Sequence, residues 1–213
     1  MKQLVRLLAI ALTLNLIAAC ASRTITLVPQ TEGRVIALDS GQAVSSAEVT
    51  VPGTGVTVTT GRDGQFVLSA LTREESRAML PASGVFVDQA DLAAMAGDLR
   101  AYGFAEFLSV STEANRNVTL FAISTASPAD MSGVPEGCTA SDQTRYALQI
   151  LAASDSPVLQ GWLATDLENR RYLRDLLRGL LFADRSSECA PSTAQRIAWG
   201  KLIDDAFERP AAH

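Results

Sequence analysis

The chain has 213 residues, enough for one domain with a sizeable core or for two small ones. Its 23 acidic residues outnumber the 18 basic ones, and the net charge is −5 at pH 7. Because nucleic-acid binding needs clustered cations, this balance argues against nucleic acid as a partner. The single histidine, His213, leaves no Ser-His or Cys-His dyad within the sequence and too few ligands for a zinc site.

The first twenty residues are typical of an export signal. Lys2 and Arg6 precede an apolar run over residues 7–16, and small residues then lead to a cysteine in the segment Leu16 to Cys20. These are the parts of a secretory signal peptide. The ending Leu-Ile-Ala-Ala-Cys resembles the lipobox of bacterial lipoproteins. The alternatives are a spanning helix, for which the run is short, and a plain signal with an incidental cysteine.

The lipobox resemblance implies that residues 1–19 are removed and that Cys20 is then acylated, for example with palmitate. Several acyl chains anchor a protein stably, so we expect a tether to the membrane at residues 20–30. Loss of the two basic residues Lys2 and Arg6 would change the net charge from −5 to −7. Ala21, rather than an aspartate, follows the lipid-bearing residue, which favours the outer over the inner membrane. We therefore expect a cell-envelope protein on the periplasmic side.

Two further cysteines, Cys138 and Cys189, remain once Cys20 is assigned to the lipid. The envelope is a compartment that permits disulfides, and we predict a bridge between them. Closing a loop of about 50 residues would stabilise the fold by roughly 4 kcal/mol through the lost entropy of the unfolded chain. The alternative is two unrelated buried thiols.

Residues 31–68 alternate short β-prone runs with turn residues. Apolar Ala47, Val49 and Val51 alternate with polar neighbours, so a strand would place them on one face. An Asp-Gly pair between such runs favours a hairpin, because glycine accepts the positive φ of the turn. The predicted turns lie at 39–41, 52–55 and 62–64.

Four segments of this region share a pattern of glycines, turns and alternating valines. They are Gly33-Arg34-Val35, Asp39 to Ala43, Ala47 to Val51, and Thr60 to Phe66. The pattern resembles the carboxypeptidase regulatory-like domain. The resemblance implies a transthyretin-like β-sandwich, close to the immunoglobulin class, at the N-terminal end of an α+β protein. Such turn and core positions indicate a fold and not an activity.

Further strands are predicted at Phe104–Ser111 and Asn117–Ser124, and the pair resembles the last hairpin of that family. Between residue 71 and this pair lies a stretch rich in alanine and methionine. We interpret 71–103 as an insertion, with a helical turn or two at Asp91–Leu99 and a short strand at Gly84–Asp88. The predicted sandwich domain covers residues 31–124.

The second half of the chain carries helix signals. Residues 125–137 have Ser, Pro and Gly without periodicity and are predicted to be a linker. A three-helix domain is predicted over 138–213, with the cysteine bridge pinning two helix N-termini together. Its three helix starts are Thr139 with Asp142, Ser156-Pro157, and Pro191-Ser192 with Gln195.

The leucine series of the second helix runs on from Ser156 with one gap, at Arg170. The third helix is expected to turn Ile197, Ala198, Leu202 and Phe207 toward the core.

The candidate partner-binding residues are Arg170, Arg174 and Arg178, which share a helix face at i, i+4 spacing. The alternative is a solvated face whose charges are offset by neighbouring carboxylates at Asp166, Glu168 and Asp175.

Two other residue pairs invite a functional interpretation. Trp162 and Trp199 lie in apolar helical stretches, so a place in the core is favoured over a sugar-binding platform. Asp39 and Asp63 occupy turn positions, which favours a structural role over a calcium or acid/base pair.

The sequence contains no G-x-S-x-G, H-E-x-x-H, P-loop or dinucleotide-binding motif. We therefore interpret the chain as a non-catalytic, lipid-anchored envelope protein without metal or other cofactor, which binds a protein partner. The alternative is a lipoprotein that binds cell-wall or surface glycans. Tethering suits partner binding because it raises the effective concentration at the membrane.

Overall fold

A large β-sheet and a layer of helices form a mixed α+β fold in the computed structural model, which describes residues 20–78, 86–126, 140–182 and 190–207. The described strands are β1 (Cys20–Val28), β2 (Thr31–Ala37), β3 (Glu48–Val51), β4 (Val56–Thr59), β5 (Gln65–Leu68), β6 (Leu71–Ala78), β7 (Val87–Ala96), β8 (Leu99–Leu108) and β9 (Val118–Ser124). The described helices are α1 (Asp142–Ala152), α2 (Pro157–Thr165), α3 (Leu167–Phe182) and α4 (Thr193–Phe207). None of these helices has the length and apolar character to cross a bilayer.

Seven strands form one sheet in the order β4-β3-β7-β8-β9-β2-β5. Neighbours run antiparallel except β2 and β9, which pair in parallel from Gly33 with Val118 to Ala37 with Ala122. The outer strands β4 and β5 are consecutive in the chain and lie close together, so the sheet is nearly closed. Buried apolar side chains of the sheet and the helices form one core.

Strands β1 and β6 form a separate antiparallel ribbon. Cys20 pairs with Ala78 at one end of the ribbon, and Val28 pairs with Leu71 at the other, where the chain enters the large sheet. The segment expected as a tether thus has regular structure from its first residue.

The two ends of the large sheet differ, and we name them for what they carry. The ribbon end is the one at which the ribbon arrives, where β2 and β9 begin and β8 ends. The turn end carries the two-residue turn Gly97-Asp98 between β7 and β8.

The strands and turns predicted in residues 31–68 are confirmed. Ala47, Val49 and Val51 are buried together, and Glu48 between them is exposed. Gly64 has a φ of +73°, the left-handed conformation that the Asp-Gly pair predicted. The two strands predicted farther along the chain are also confirmed, as β8 and β9.

The helical turn predicted at Asp91–Leu99 is wrong, because these residues belong to strands β7 and β8 and the turn between them. Ala90, Leu92 and Ala94 of β7 are buried at a period of two. Alanine and methionine favour helix locally, but pairing with β3 and β8 overrides this propensity. The stretch expected as an insertion therefore supplies ribbon strand β6 and central strand β7.

The helical region contains four described helices instead of three. Ser141 caps α1 by accepting a hydrogen bond from Thr144 N at 3.1 Å, whereas Thr139, the predicted cap, lies outside the described residues. The predicted caps Ser156 and Ser192 are confirmed, since each hydroxyl accepts from a backbone N–H three residues on, at 3.2 Å.

The long helix predicted from Ser156 divides at Asp166. This residue is extended, with φ −155° and ψ 134°, and its carboxylate accepts from Glu168 N at 2.9 Å at the start of α3. Aspartate is a preferred cap, so the break has a sequence signal, which the continuing leucine spacing concealed.

The predicted core face of α4 is wrong in part. Phe207 is buried as expected, together with Trp199 and Ile203, but Ile197 and Leu202 are 69% and 54% exposed. Ala198, also expected to face the core, is exposed as well. At 3.6 residues per turn Ile197 and Leu202 lie about 140° apart, so they cannot both face one core. The buried residues lie on the opposite side of the helix.

Gly103 lies where α3 comes close to the sheet. A Cβ at this position would meet Leu120 Cδ2 and would lie 2.7 Å from the Tyr172 hydroxyl. We predict that Gly103→Ala lowers the free energy of unfolding by about 1–3 kcal/mol, the usual cost of overpacking, as measured by urea denaturation.

Gly161→Ala is the matched control, because Gly161 is exposed within α2 and nothing lies within 4 Å of an added Cβ. Alanine there should raise the free energy of unfolding by about 0.5–1 kcal/mol. A Gly103→Ala protein as stable as the wild type would contradict the close approach of α3.

Candidate functional site

Two buried tyrosines attach the helices to the sheet between β8 and β9. The ladder between these strands covers only two residue pairs, next to the turn end. Beyond it, Tyr146 of α1 donates its hydroxyl to Phe121 O at 3.0 Å. Tyr172 of α3 donates to Phe104 O at 3.2 Å and accepts from Phe104 N at 3.1 Å. The hydroxyls thus supply hydrogen-bond partners to backbone groups of β8 and β9 that the neighbouring strand leaves without one.

Aromatic rings surround these hydroxyls and fix the helices on the sheet. Trp162 is buried among them, which confirms the core position predicted for it, and Trp199 is buried within α4. The ring centres lie 4.5–6.2 Å apart in tilted or edge-to-face pairs, the arrangement that aromatic side chains prefer. The pairs are Tyr102–Tyr146, Phe104–Tyr172, Phe121–Trp162 and Trp162–Tyr172.

Burial raises the pKa of both the Tyr146 and the Tyr172 hydroxyl far above the ordinary value of 10.0. Desolvation is the largest cause in each case, because the phenolate would lose its hydration. Hydrogen bonds to the backbone of Tyr102 and Phe104 act in the opposite direction and are weaker than desolvation. Both tyrosines are therefore held neutral in the folded protein.

The attachment leaves a mainly apolar cavity of about 350 Å³ at the turn end, between the sheet and the start of α2, with Asp39 also on its wall. We call it the junction cleft. Gln149 on one wall donates a hydrogen bond to Ser124 O at 3.3 Å and so ties α1 to the end of β9. The volume is that of a pocket for a small ligand or for an anchoring side chain of a partner. Its apolar wall residues include Leu38, Leu99, Ile123, Ala153, Pro157 and Val158.

A cavity of about 270 Å³ at the ribbon end is charged instead. We call it the charged cleft. Arg116 has its guanidinium carbon 5.1 Å from the centre of the Tyr172 ring and hydrogen-bonds the side chain of buried Asn169. Asn169 in turn donates to Trp162 O at 2.8 Å across the break between α2 and α3. The charged residues that line this cleft are Glu106, Arg116, Asp166, Glu168, Arg171 and Asp175.

One guanidinium forms ion pairs with three carboxylates in the charged cleft. Arg171 lies 3.3 Å from Glu168 and 3.7 Å from both Asp175 and Glu106. Its side chain is 58% exposed, so each pair contributes only about 0–1 kcal/mol. This arrangement is an ion-pair network that joins α3 to β8.

The three arginines predicted to bind a partner do not form one free surface. Arg178 forms an ion pair with Asp204 and thereby joins α3 to α4. Arg170 and Arg174 are partly buried and make contacts of their own within the protein. The prediction that neighbouring carboxylates offset the helix charges is confirmed for Arg171, which lies next to Arg170 and pairs with Glu168 and Asp175.

The remaining predicted positions have structural surroundings. Asp39 lies in a turn, and the Asp63 carboxylate accepts from Gln65 N at 3.1 Å, so both turn predictions are confirmed. Cys20 lies in β1, and Cys138 and Cys189 lie outside the described residues. Within the described ranges, no group of His, Cys, Asp or Glu residues has the geometry of a metal site.

Sequence analysis missed both clefts. Glu106 lies within one predicted strand and Arg116 just before the next, and only the folded chain brings them to α3. Their charge beside a β-hairpin was the one available signal.

No protein-family model, curated protein or solved structure matches this chain. The resemblances to bacterial lipoproteins and to the carboxypeptidase regulatory-like domain therefore rest on the sequence segments themselves.

We predict that the free energy of unfolding falls as the pH rises above about 10, where unfolded tyrosines ionise and the buried ones stay protonated. Each such tyrosine adds a slope of about 1.4 kcal/mol per pH unit. Tyr172→Phe should make the slope shallower by that amount. It should also cost about 1–3 kcal/mol at neutral pH, because Phe104 N–H and C=O lose their partner. Urea denaturation over a pH series measures both effects.

Tyr102→Phe is the control for the loss at neutral pH, since the half-buried Tyr102 hydroxyl caps no backbone group within the described structure. An unchanged slope in Tyr172→Phe would show that the hydroxyl ionises as it does in the unfolded chain.

Proposed function

We propose that this chain is a non-catalytic lipoprotein of a bacterial cell envelope, anchored through acyl chains on Cys20 and binding a protein partner through the junction cleft. The anchor places the protein on the periplasmic side, with the outer membrane favoured over the inner. The observation that carries the proposal is the apolar junction cleft, which lies at the end of the sheet opposite the ribbon and Cys20.

The position of the cleft suits a protein partner. A chain anchored at Cys20 approaches the membrane through the ribbon, and the ribbon joins the sheet at the ribbon end. The junction cleft at the turn end would then stay accessible. Its apolar walls and size match a pocket that receives an anchoring aromatic or aliphatic side chain, the feature that dominates the energy of many interfaces.

The structure offers less support for glycan binding or for enzymatic activity. Sugar-binding platforms need several exposed aromatic rings, but the described Trp and Tyr side chains are buried except for the partly exposed Tyr102. Phe86 is exposed, but it lies among aliphatic side chains and not beside a second exposed ring of the described residues. The carboxylates of the charged cleft share Arg171, which favours a structural ion-pair network over catalysis.

We also propose a finer architecture. Residues 31–124 form a carboxypeptidase regulatory-like, transthyretin-like sandwich, and a Cys138–Cys189 disulfide pins the helical region. The nearly closed, mainly antiparallel sheet and the Gly64 turn support the first proposal. The cysteine pair and the expected oxidising compartment support the second.

Mass spectrometry of the protein purified from envelopes tests the anchor and the bridge together. The expected mature amino terminus is Cys20 bearing acyl chains, and one peptide should link Cys138 to Cys189 until it is reduced. A free thiol at Cys20 would refute the anchor, and unlinked cysteines in the unreduced protein would refute the bridge.

Partner binding is tested with two matched substitutions in first turns of helices. Val158→Asp places a charge in the junction cleft, and Leu167→Asp places the same charge at a side chain that is 84% exposed. Aspartate is favourable in the first turn, so both helices should persist. We expect the wild type and Leu167→Asp to retain a partner from detergent-solubilised envelopes, and Val158→Asp to lose it, as anchoring contacts contribute about 2 kcal/mol or more.

A photo-crosslinking residue at position 158 or 167 locates the contact. Crosslinks to one protein from position 158 and none from 167 are expected. Equal capture by both aspartate variants would reject the junction cleft as the binding site. Capture of nothing beyond lipoprotein-export proteins by the acylated wild type would reject the binding function.

A further inference from the structure

An exposed apolar patch lies at the ribbon end of the sheet, where β7 begins and β8 ends. Phe86, Val87, Leu108 and Val110 are 62%, 63%, 41% and 52% exposed. Val87 pairs with Leu108, and Ser109 N donates to Phe86 O at 2.8 Å, so the hairpin backbone holds the patch in place. We call these four residues the apolar patch.

Exposed apolar side chains are concentrated at this end. Leu27 of the ribbon and Val67 of β5 are also exposed there, at 36% and 53%. On the described strands only Met95, beside the turn end, is a large exposed hydrophobic residue elsewhere. Such a concentration of exposed apolar side chains at one end of a protein is typical of an interaction site.

The path of the chain indicates what covers the patch. Cys20, the residue expected to carry acyl chains, pairs with Ala78. Phe86 follows Ala78 by eight residues, which span at most about 28 Å when fully extended. At roughly 3.3 Å per residue, the ribbon from Cys20 to Val28 is about as long as this maximum span from Ala78 to Phe86. The apolar patch therefore lies within about one ribbon length of Cys20, so a bilayer that holds Cys20 contacts the patch as well when the ribbon lies along its surface.

We propose that the apolar patch seats the ribbon end of the sheet on the surface of the lipid bilayer. The proposal rests on the proposed function, since acylated Cys20 keeps the membrane close. The contact is apolar and not electrostatic, because Asp88 and Glu113 are exposed beside the patch and the mature chain is acidic. Seating this end turns the junction cleft away from the bilayer.

Tryptophan quenching by lipids brominated in their acyl chains tests the contact. The acylated protein is reconstituted in phosphatidylcholine vesicles with or without brominated lipid. Phe86→Trp, just before β7, reports on the apolar patch, and Met95→Trp, near the far end of β7, is the matched control. Trp162 and Trp199 are buried and give a constant background.

We expect brominated lipid to remove the added emission of Phe86→Trp at low and at high salt, and to leave that of Met95→Trp unchanged. Equal quenching at both positions, or quenching at neither, would overturn the proposal. So would a Cys20→Ser protein that self-associates in sedimentation and loses this association in a Phe86→Ser, Val87→Ser variant, because a second copy would then cover the patch.

A separate measurement shows whether the anchor on Cys20 is present. Mass spectrometry of the same preparation reports whether Cys20 is acylated. If it is not, the proposed function fails, and the same two tryptophan variants mixed with vesicles still decide the patch. Quenching confined to Phe86→Trp supports it, and its absence overturns it.

Discussion

The position of the helices on the sheet depends on two tyrosine hydroxyls that satisfy backbone groups between β8 and β9. Tyr146 and Tyr172 reach from α1 and α3 to carbonyls and an N–H group for which the β8–β9 ladder provides no partner. A buried backbone group without a partner costs free energy. The two hydroxyls remove this cost where β8 and β9 do not pair, and the same hydrogen bonds hold the helices on the sheet. Gly103 provides the space that this contact needs.

This attachment gives the molecule two different ends. The junction cleft opens beside the turn between β7 and β8 and is apolar. The charged cleft opens where β8 ends, and Arg116 and Arg171 link the sheet to the break between α2 and α3 there. The ribbon and the apolar patch share the ribbon end, so lipid contact and partner contact are assigned to opposite ends of the sheet.

The same geometry bears on function. Arg171 is shared among three carboxylates, and Arg178 pairs with Asp204, so these guanidinium groups hold elements together. A cleft with apolar walls requires no reactive group in order to bind, and the low content of histidine and exposed aromatic rings matches that role. The proposed role, recognition at a membrane with an anchor that raises the effective concentration, accounts for these features together.

The sequence by itself determined the local structure of much of the chain. Alternating valines and an Asp-Gly turn predicted β2 to β5, and serine caps predicted the starts of α2 and α4, because strand period and capping depend on near neighbours. The signal and the three cysteines likewise indicated compartment and chemistry without a fold.

Only the tertiary structure decided the rest. Strand β7 has a helix-forming composition and becomes a strand through pairing with distant β3 and with β8, the next strand along the chain. Asp166 ends a helix that the leucine spacing predicted to continue. In α4, Trp199 and Ile203 face the protein core, and Ile197 and Leu202 do not. The junction cleft joins residues of β8, β9 and the helices, and the charged cleft joins β8 and the loop after it to the helices. Long-range pairing and burial create such sites, and no local pattern in the sequence encodes them.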